Sequence, residues 1–487
     1  MHYRYCVMMK TVKYLYILLV SVMLLAACSD DDNFSSSPSN HLTFSTDTVR
    51  LDTVFSNVGS ATRSFWVYNH SGSGIRCTDV RLEGGASSSF RVNVDGIDLT
   101  HIGSTSDIEI RKGDSIRVFV EATPPTQNAA EPRKMADNLV FTLESGEQQR
   151  VNLDVWSWDA MFLRNHHVTG EETLTAEKPL VIYGGLTVDS GAVLKLQAGT
   201  TLYFHGDAGL SVYGRVNSQG EAGRNVTLRG DRLDRMFDYL PYDLTPGQWQ
   251  GVVFHASSTG NQMVYTDLHS AYNGIDIDSC DAAPLKLQLT ASTIHNCQGY
   301  GLRSQNARVN IESCQITNTL HDCVRIDGGN VTINSSTLAQ FYPFDSNRGY
   351  ALSFSNALPL QQLHVTNSLI TGYADDVLLG GQDTTLQHSF NFDFDHCIVR
   401  TEKPTTKDSL LMTNIIYENP KDTASGGTKH FKKIDTDVLR YDFRLDSLSQ
   451  AINAASPETS WPIDRDGNRR DDRPDIGAYE YIKATNE

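Results

Sequence analysis

Apolar and polar residues alternate in short segments over residues 42–158. An apolar residue at every second position indicates β-strands with one buried face. The clearest segments are Phe65–Tyr68, Phe90–Val94, Ile116–Val120 and Leu139–Leu143. About seven such segments, separated by Gly, Asn, Asp and Pro, predict an antiparallel β-sandwich.

After Trp158 the strands become shorter, and a quasi-repeat replaces the simple alternation. Ile294 and Ile316 stand 22 residues apart, and Leu338 follows after another 22. This period, with Gly turns and Asn at a fixed phase, predicts a parallel β-helix whose coils bury their inward side chains by stacking. The repeated Asn residues should form hydrogen-bonded ladders. A leucine-rich repeat would need an LxxLxLxxN core, which is absent, and a propeller would need about twice the period.

The amino terminus has the pattern of a bacterial lipoprotein signal. Arg4, Lys10 and Lys13 precede an apolar run over residues 14–25, which is too short to cross a bilayer. Small residues then lead to Cys28, as lipoprotein signal peptidase requires. We expect cleavage after residue 27 and lipidation of Cys28, which would attach the protein to the outer membrane. The alternative is an ordinary cleaved signal with an incidental cysteine.

The residues after Cys28 suggest which side of the membrane the protein faces. Ser29 and three aspartates, Asp30 to Asp32, resemble the export signal of Bacteroidetes lipoproteins. The resemblance implies transfer to the extracellular face of the outer membrane. A solvated acidic tether is the alternative, because like charges keep a chain extended.

Charge and cysteine content narrow the range of partners. The formal net charge is −17, and it becomes −20 once the three cations of the signal are removed. Such a chain repels nucleic acid, so we expect no nucleic-acid partner. No CxxC pair is present, and we expect buried, unpaired thiols, with a Cys280–Cys297 or Cys314–Cys323 disulfide as the alternative.

Several stretches resemble Bacteroidetes right-handed parallel β-helix repeat lipoproteins, which belong to the pectin-lyase-like fold group. The stretches are Leu42–Val49, Pro179–Gly184, Gly206–Leu210, Gly230–Leu233, Pro246–Trp249 and Asp464–Glu480. The resemblance implies a fold and a location; the activity of that family is not established, so it implies no chemistry.

These observations together predict an all-β protein. The expected order is a signal peptide (1–27), an acidic and Ser-rich tether (28–41), an immunoglobulin-like β-sandwich (42–158), a right-handed parallel β-helix (163–430) and a C-terminal capping segment (431–487). The Cys…Trp…Cys spacing of true immunoglobulin domains is absent, so only the architecture is predicted.

A charged stripe is the first candidate site. If Ile275, Leu302 and Val324 point inward, their neighbours at alternate positions point outward. The outward residues form two rows: Asp276, Arg303 and Arg325, and Asp278, Gln305 and Asp327. Arg303 and Arg325 could bind a glycan, and Asp276, Asp278 and Asp327 could act as catalytic carboxylates. Solvated cross-coil ion pairs are the alternative.

An insertion over residues 231–249 is the second candidate. Its aromatic residues Phe237, Tyr239, Tyr242 and Trp249 could stack against sugar rings. Alternatively, Trp249 and the preceding Pro-Gly turn cover the side of the β-helix.

The C-terminal tail is the third candidate. Asp464, Asp466 and Asn468 alternate like the ligands of a Ca²⁺ loop, but Asp475 stands where an EF-hand has Glu. A hairpin that caps the last coil is the alternative.

Catalytic fingerprints such as GxSxG, HExxH, the P-loop and GxGxxG are absent from the sequence. The leading hypothesis is therefore a noncatalytic surface lipoprotein that binds extracellular glycan or a surface protein. A polysaccharide lyase or glycoside hydrolase that uses the charged stripe is one alternative, and a structural adhesin is the other.

Overall fold

The computed structural model describes residues 33–99, 103–419, 421 and 427–483. They form two compact units: the first runs to Gln127 and includes Arg133–Ser157, and the second contains Asn128–Pro132 and resumes at Trp158. The predicted signal peptide, Cys28 and the aspartates that follow it lie outside the described residues. Within the described part of the chain, no helix has the length and apolar character needed to span a membrane.

The first unit is a sandwich of two antiparallel sheets. Along β9, every second residue is buried, as the alternation in sequence predicts. One sheet has the order β1-β3-β9-β5-β6, and the other has the order β2-β11-β10-β4-β7 with β8 beside β4. The strands are β1 (Leu42–Phe44), β2 (Thr48–Phe55), β3 (Arg63–Asn69), β4 (Ile75–Leu82), β5 (Phe90–Val94), β6 (Ile97–Asp98), β7 (Ser104–Thr105), β8 (Ile108–Ile110), β9 (Ser115–Ala122), β10 (Arg133–Leu143) and β11 (Gln148–Trp158).

The second unit is a solenoid of parallel strands. Each strand pairs with the equivalent strand of the next coil, from β12 to β38. The strands of the first coils are β12 (Met161–Val168), β13 (Glu171–Leu174), β14 (Leu180–Val188), β15 (Val193–Gln197), β16 (Thr201–Phe204), β17 (Leu210–Val212), β18 (Arg215–Gln219) and β19 (Val226–Gly230). A small antiparallel pair, β20 (Arg235–Phe237) and β21 (Leu240–Pro241), interrupts them.

The solenoid continues in the same way after this insertion. Its remaining strands are β22 (Val252–Phe254), β23 (Asn261–Val264), β24 (Thr266–His269), β25 (Ile275–Ile277), β26 (Leu285–Thr290), β27 (Thr293–Cys297), β28 (Leu302–Glu312), β29 (Gln315–Thr319), β30 (Val324–Asn334), β31 (Thr337–Gln340), β32 (Leu352–Thr366), β33 (Leu369–Gly372), β34 (Leu378–Gly381), β35 (Phe390–Asp395), β36 (Ile398–Val399), β37 (Met412–Thr413) and β38 (Ile416–Tyr417). The helical segments are short 3₁₀ turns at Gly85–Ser87, Tyr242–Leu244, Lys407–Leu411 and Thr428–His430.

The stacking register follows the repeat in the sequence. Ile294 pairs with Ile316, and Ile316 pairs with Leu338. All three side chains are at most 1% exposed and fill the inside of the coils. The 22-residue spacing therefore predicted the register of these coils correctly, because residues that share a rung of a parallel sheet share their burial.

A buried row of small polar side chains lines one corner of the solenoid. Ser292 and Ser336 accept hydrogen bonds from the backbone N–H groups of Thr266 and Cys314, at 3.0 and 3.1 Å. The Cys314 thiol occupies the same slot and donates to the carbonyl of Glu312. These hydroxyl and thiol groups are small enough for a tight interior corner.

The cysteines among the described residues are all unpaired. Five of them are buried, and Cys280 is half-buried. Burial raises the pKa of the Cys314 and Cys323 thiols to about 12, so they stay protonated and unreactive. The expectation of buried thiols is confirmed for five of the six, and neither alternative disulfide forms.

The C-terminal segment lies along the side of the solenoid. It begins with a hairpin of β39 (Phe431–Asp435) and β40 (Arg440–Leu445). Arg465 contacts Thr293 of β27, and Ala478 contacts Thr337 of β31. The segment thus covers the outer face of successive coils, which differs from the cap over the last coil that the sequence predicts. The reason is that this outer face carries apolar residues such as Leu369 that need cover.

Candidate functional site

A cavity of about 630 Å³ opens between the solenoid and the C-terminal segment, and we call it the side pocket. One wall comes from the outer faces of β24, β27 and β29, and the other comes from β40 and the residues around Arg465. Its ionisable and phenolic lining groups are Asp267, His295, Arg440, Tyr441, Asp442, Arg444, Arg465, Asp466 and Tyr479. The pocket is therefore polar on both sides.

The solenoid wall holds a cluster of one carboxylate and two imidazoles. Leu268 points into the core, so its neighbours Asp267 and His269 both point outward from β24. His295 occupies the rung beside His269, and the two rings stack with centroids 4.8 Å apart. The Asp267 carboxylate lies 3.0 Å from Nδ1 of His269 and 3.5 Å from Nε2 of His295.

Asp243 of the insertion contacts this cluster through His269. An Asp243 carboxylate oxygen lies 2.8 Å from Nε2 of His269 and 2.9 Å from the Arg229 guanidinium. Burial opposes protonation of His269, but the hydrogen bonds to Asp243 and Asp267 outweigh it and raise the pKa of His269 to about 9. Burial likewise opposes ionisation of Asp267, yet hydrogen bonds from His269 and His295 hold the pKa of that carboxyl well below its usual range.

The opposite wall is held in place by the tail. The Arg465 guanidinium donates to the Thr293 hydroxyl at 2.7 Å, and the Tyr479 hydroxyl donates to the Gln315 side-chain carbonyl at 2.6 Å. Asp466 is exposed at the pocket. Partial desolvation and the nearby Asp464 carboxylate raise the pKa of Asp466.

The predicted charged stripe exists as a geometric feature. Asp276 pairs in register with Arg303, and Arg303 pairs with Arg325. The charges largely satisfy one another: Arg303 lies 3.7 Å from Asp276, and Arg325 forms a two-pronged contact with Asp327, its shorter distance being 3.0 Å. The Asp276–Arg303 contact crosses between coils, as the alternative of ion pairs describes, whereas Arg325 and Asp327 belong to the same strand, β30. Burial raises the pKa of Asp276.

Asp278 of the same stripe takes part in a different arrangement. Its carboxylate accepts a hydrogen bond from Nδ1 of His255 at 3.0 Å, and the Ser211 hydroxyl lies 2.7 Å from Nε2 of the same ring. Tyr213 stacks on this imidazole with centroids 4.0 Å apart. A serine, an imidazole and a carboxylate in this order form a nucleophile, a base and a group that orients the base.

The aromatic insertion is only partly a surface. Phe237 and Tyr239 are 54% and 51% exposed, and their rings are stacked 5.7 Å apart. The Tyr242 ring lies beneath the Arg232 guanidinium at 3.8 Å. Trp249 has no exposed surface, stacks on Phe204 in the core and donates to the His269 carbonyl. The hypothesis that Trp249 belongs to the stacking surface is therefore wrong, because its indole fills the solenoid interior.

The three candidate Ca²⁺ ligands do not converge on one point. Asp464 is fully buried, and its carboxylate accepts hydrogen bonds from the Asn468 backbone and side-chain N–H groups and from the Glu480 backbone. Asn468 thus directs a donor, not its oxygen, at Asp464. Asp466 turns to the side pocket instead. This geometry closes a turn, and a bound Ca²⁺ stays a prediction.

The sequence contained a signal for half of the side pocket. Asp267-Leu268-His269 aligns with Thr293-Ile294-His295, so extending the repeat by one coil towards the N-terminus would have placed both histidines on one outer face. The other half has no such signal. Arg465 and Tyr479 lie more than 160 residues from their partners Thr293 and Gln315 along the chain, and no period relates them.

Comparisons with known proteins support the fold. A family model described as "Right handed beta helix region" matches residues 243–391. The chain is thus an all-β protein, a β-sandwich followed by a right-handed parallel β-helix, as the sequence predicted. No curated protein sequence matches the chain.

The solved structures that match the chain share little sequence with it. The Agl-KA catalytic domain is 10% identical over 73% of this chain and 79% of its own, with a TM-score of 0.28. A GH87 alpha-1,3-glucanase catalytic domain in complex with nigerose is 8% identical over 78% and 96%, with a TM-score of 0.18. A Porphyromonas gingivalis protein of unknown function is 9% identical over 27% of this chain and half of its own, with a TM-score of 0.19. TM-scores this low do not indicate a shared function.

Proposed function

We propose that this protein binds a carbohydrate in the side pocket. The observation that carries the proposal is the pocket itself, a cavity of about 630 Å³ that presents carboxylates, guanidinium groups and tyrosine rings together. Sugar hydroxyls need both donors and acceptors, and sugar ring faces pack against aromatic rings. Asp466 supplies an exposed carboxylate at this site. Arg444 supplies an exposed guanidinium, which the Asp442 carboxylate holds in place at 2.7 and 2.8 Å.

We further propose that the binding site is displayed outside the cell. The support is the lipoprotein signal that ends at Cys28 and the acidic residues Asp30 to Asp32. In this view the lipid holds the protein to the outer membrane, and the solenoid faces extracellular polysaccharide. Replacing Cys28 by Ala should release the protein from the membrane fraction or leave it unprocessed. Normal maturation and retention of the variant in the membrane fraction would overturn this location.

A glycan array with the soluble chain, residues 29–487, tests the binding proposal. Binding to at least one polysaccharide is expected, and Asp466→Ala and Arg444→Ala should each weaken it by at least about tenfold, because each removes a charged hydrogen bond worth about 1.5–3 kcal/mol. Lys195→Ala is the matched control, because Lys195 is a half-buried charged residue of β15 that pairs with Glu171 and does not line the pocket.

The same array separates this site from the others. Loss of binding in an Arg303→Ala, Arg325→Ala double variant, with the pocket variants unaffected, would move the site to the charged stripe. Loss only in a Phe237→Ala, Tyr239→Ala variant would move it to the aromatic insertion. No binding to any polysaccharide would contradict the proposal and favour a protein partner or a structural adhesin.

Ester hydrolysis is a second candidate function, and the Ser211–His255–Asp278 arrangement favours it. His255 would take the Ser211 proton as the hydroxyl oxygen attacks an acyl carbonyl, and would return it to the departing alcohol; water would then release the acyl group. Labelling by a fluorophosphonate and hydrolysis of p-nitrophenyl acetate are the tests. Ser211→Ala should abolish both, and the exposed neighbour Ser257→Ala should not; absence of both reactions in the unaltered protein would exclude this function.

A further inference from the structure

We propose that Asp267, His269 and His295 bind a divalent transition-metal ion at the inner wall of the side pocket. Their candidate ligand atoms all lie within 4.8 Å of one another. This site goes beyond carbohydrate binding, and it can be tested without any sugar.

The spacing of the ligand atoms suits a tetrahedral ion. An ion bound at about 2.0–2.1 Å by each ligand separates neighbouring ligand atoms by about 3.3 Å. The Asp267 oxygen lies 3.0 Å from Nδ1 of His269 and 3.5 Å from Nε2 of His295, on either side of that value. Two of the three separations therefore match one ion, and the ligand atoms of all three residues lie within 4.8 Å of one another.

The second ring nitrogen of His269 has the kind of partner that a metal-binding histidine has. Such a histidine usually directs its other ring nitrogen at a carboxylate, which fixes the tautomer and the ring orientation. Asp243 occupies this position, 2.8 Å from Nε2 of His269, and Arg229 holds Asp243 in turn at 2.9 Å. His269 is only 8% exposed in its side chain, so its Nδ1 has no freedom to turn away from Asp267.

The ligand types indicate which ions fit. Two imidazoles and one carboxylate favour Zn²⁺ and its neighbours Co²⁺ and Ni²⁺, whereas Ca²⁺ and Mg²⁺ prefer oxygen alone. Three protein ligands leave a fourth position open in a tetrahedral site. Asp267 and His295 both line the side pocket, so this fourth position faces the space where a ligand oxygen would bind.

The competing explanation is a hydrogen-bond network without metal. In that network a protonated His269 links Asp243 and Asp267. The two explanations differ in whether the folded protein takes up metal, and in whether His295 is needed, because that ring lies at the edge of the network at 3.5 Å.

Calorimetric titration of the untagged, chelator-treated protein with Zn²⁺ provides the test, and the Co²⁺ complex reports the coordination geometry by its visible absorption. We expect one equivalent to bind, with tetrahedral Co²⁺ bands. His295→Ala should abolish saturable binding. The His295 side chain is 21% exposed, and circular dichroism checks that the variant keeps its fold. Asp243→Asn should weaken binding by about 10- to 100-fold.

His205→Ala is the matched control, since His205 is an exposed solenoid histidine beside Asp231. Failure of the unaltered protein to take up Zn²⁺, Co²⁺ or Ni²⁺ would overturn the site. Uptake that persists unchanged in His295→Ala would overturn it as well. Glycan binding measured on the same samples distinguishes failure of the metal site from failure of the carbohydrate proposal.

Discussion

At the residue scale, a buried charged group joins the last coils to the C-terminal segment. The His430 ring lies with Nε2 2.5 Å from the Glu418 carboxylate and Nδ1 2.9 Å from the Ser449 hydroxyl. The Arg400 guanidinium is 3.6 Å from the same carboxylate. All of these side chains are buried. Removing one member of such a group leaves a buried charge unpaired, which costs about 3–5 kcal/mol.

The pH dependence of stability follows from this group. Burial opposes ionisation of Glu418, but His430, Thr371 and Arg400 outweigh it and lower the pKa of the carboxyl. In the unfolded state the Glu418 carboxyl has a pKa of about 4.3, and above that pH its stabilising effect is complete. The effect is lost as the pH falls through the lower pKa that this carboxyl has in the folded state. We expect the melting temperature of Glu418→Gln to fall less steeply than that of the unaltered protein below about pH 4.3. If the melting temperatures of the two proteins fell in parallel down to pH 2, this role of Glu418 would be contradicted.

Residue identities were predicted best where burial alone decides them. The inward Ile275, Leu302 and Val324 were placed correctly because apolar residues recur at one phase of the repeat. The indole of Trp249 was misplaced, because this residue lies in an irregular insertion. The period of the repeat therefore does not show whether its side chain points inward or outward. Its burial depends on Phe204, which lies in a different coil.

At the scale of elements, the corner row of hydroxyl and thiol groups holds one coil to the next. Ser336 accepts from the Cys314 N–H and donates to the Asn334 carbonyl at 2.9 Å. We expect Ser336→Ala to cost about 1–3 kcal/mol, because a buried N–H loses its acceptor. Cys314→Ser keeps a hydrogen-bond donor at this position and should cost less than Ser336→Ala.

Urea unfolding of the two variants checks this account of the corner. Equal costs would show that the row serves only to fill space. The sequence did not reveal the row, because its residue type changes from coil to coil between Ser, Cys and Thr. No single residue type therefore recurs at the period of the repeat. The predicted Asn repeats lie at a neighbouring corner position, where Asn318 adopts a positive φ of 56° that Asn tolerates.

At the scale of the whole solenoid unit, the C-terminal segment both covers apolar surface and builds half of the side pocket. Phe443 packs between Phe341 of the solenoid and Phe431 of the hairpin, with ring centroids 6.1 and 5.0 Å away. Its neighbour Arg444 lines the pocket. Docking of the segment and completion of the pocket therefore depend on the same hairpin.

Phe443→Ala should loosen the hairpin without unfolding the coils. Replacing a buried Phe by Ala costs about 3–5 kcal/mol, which we expect to appear as faster proteolytic cleavage near residues 431–445 and weaker glycan binding. Leu448→Ala, which changes a side chain that is 83% exposed, is the control. Unchanged cleavage and unchanged binding in Phe443→Ala would show that the pocket does not need the hairpin.

The most direct test of the carbohydrate-binding proposal is a crystal structure of the soluble chain with the oligosaccharide that binds best on the array. The account predicts sugar density in the side pocket, between the Asp267 face of β24 and the Arg444 end of β40. Ordered density over the charged stripe or the aromatic pair Phe237 and Tyr239, with the side pocket empty of sugar, would contradict it.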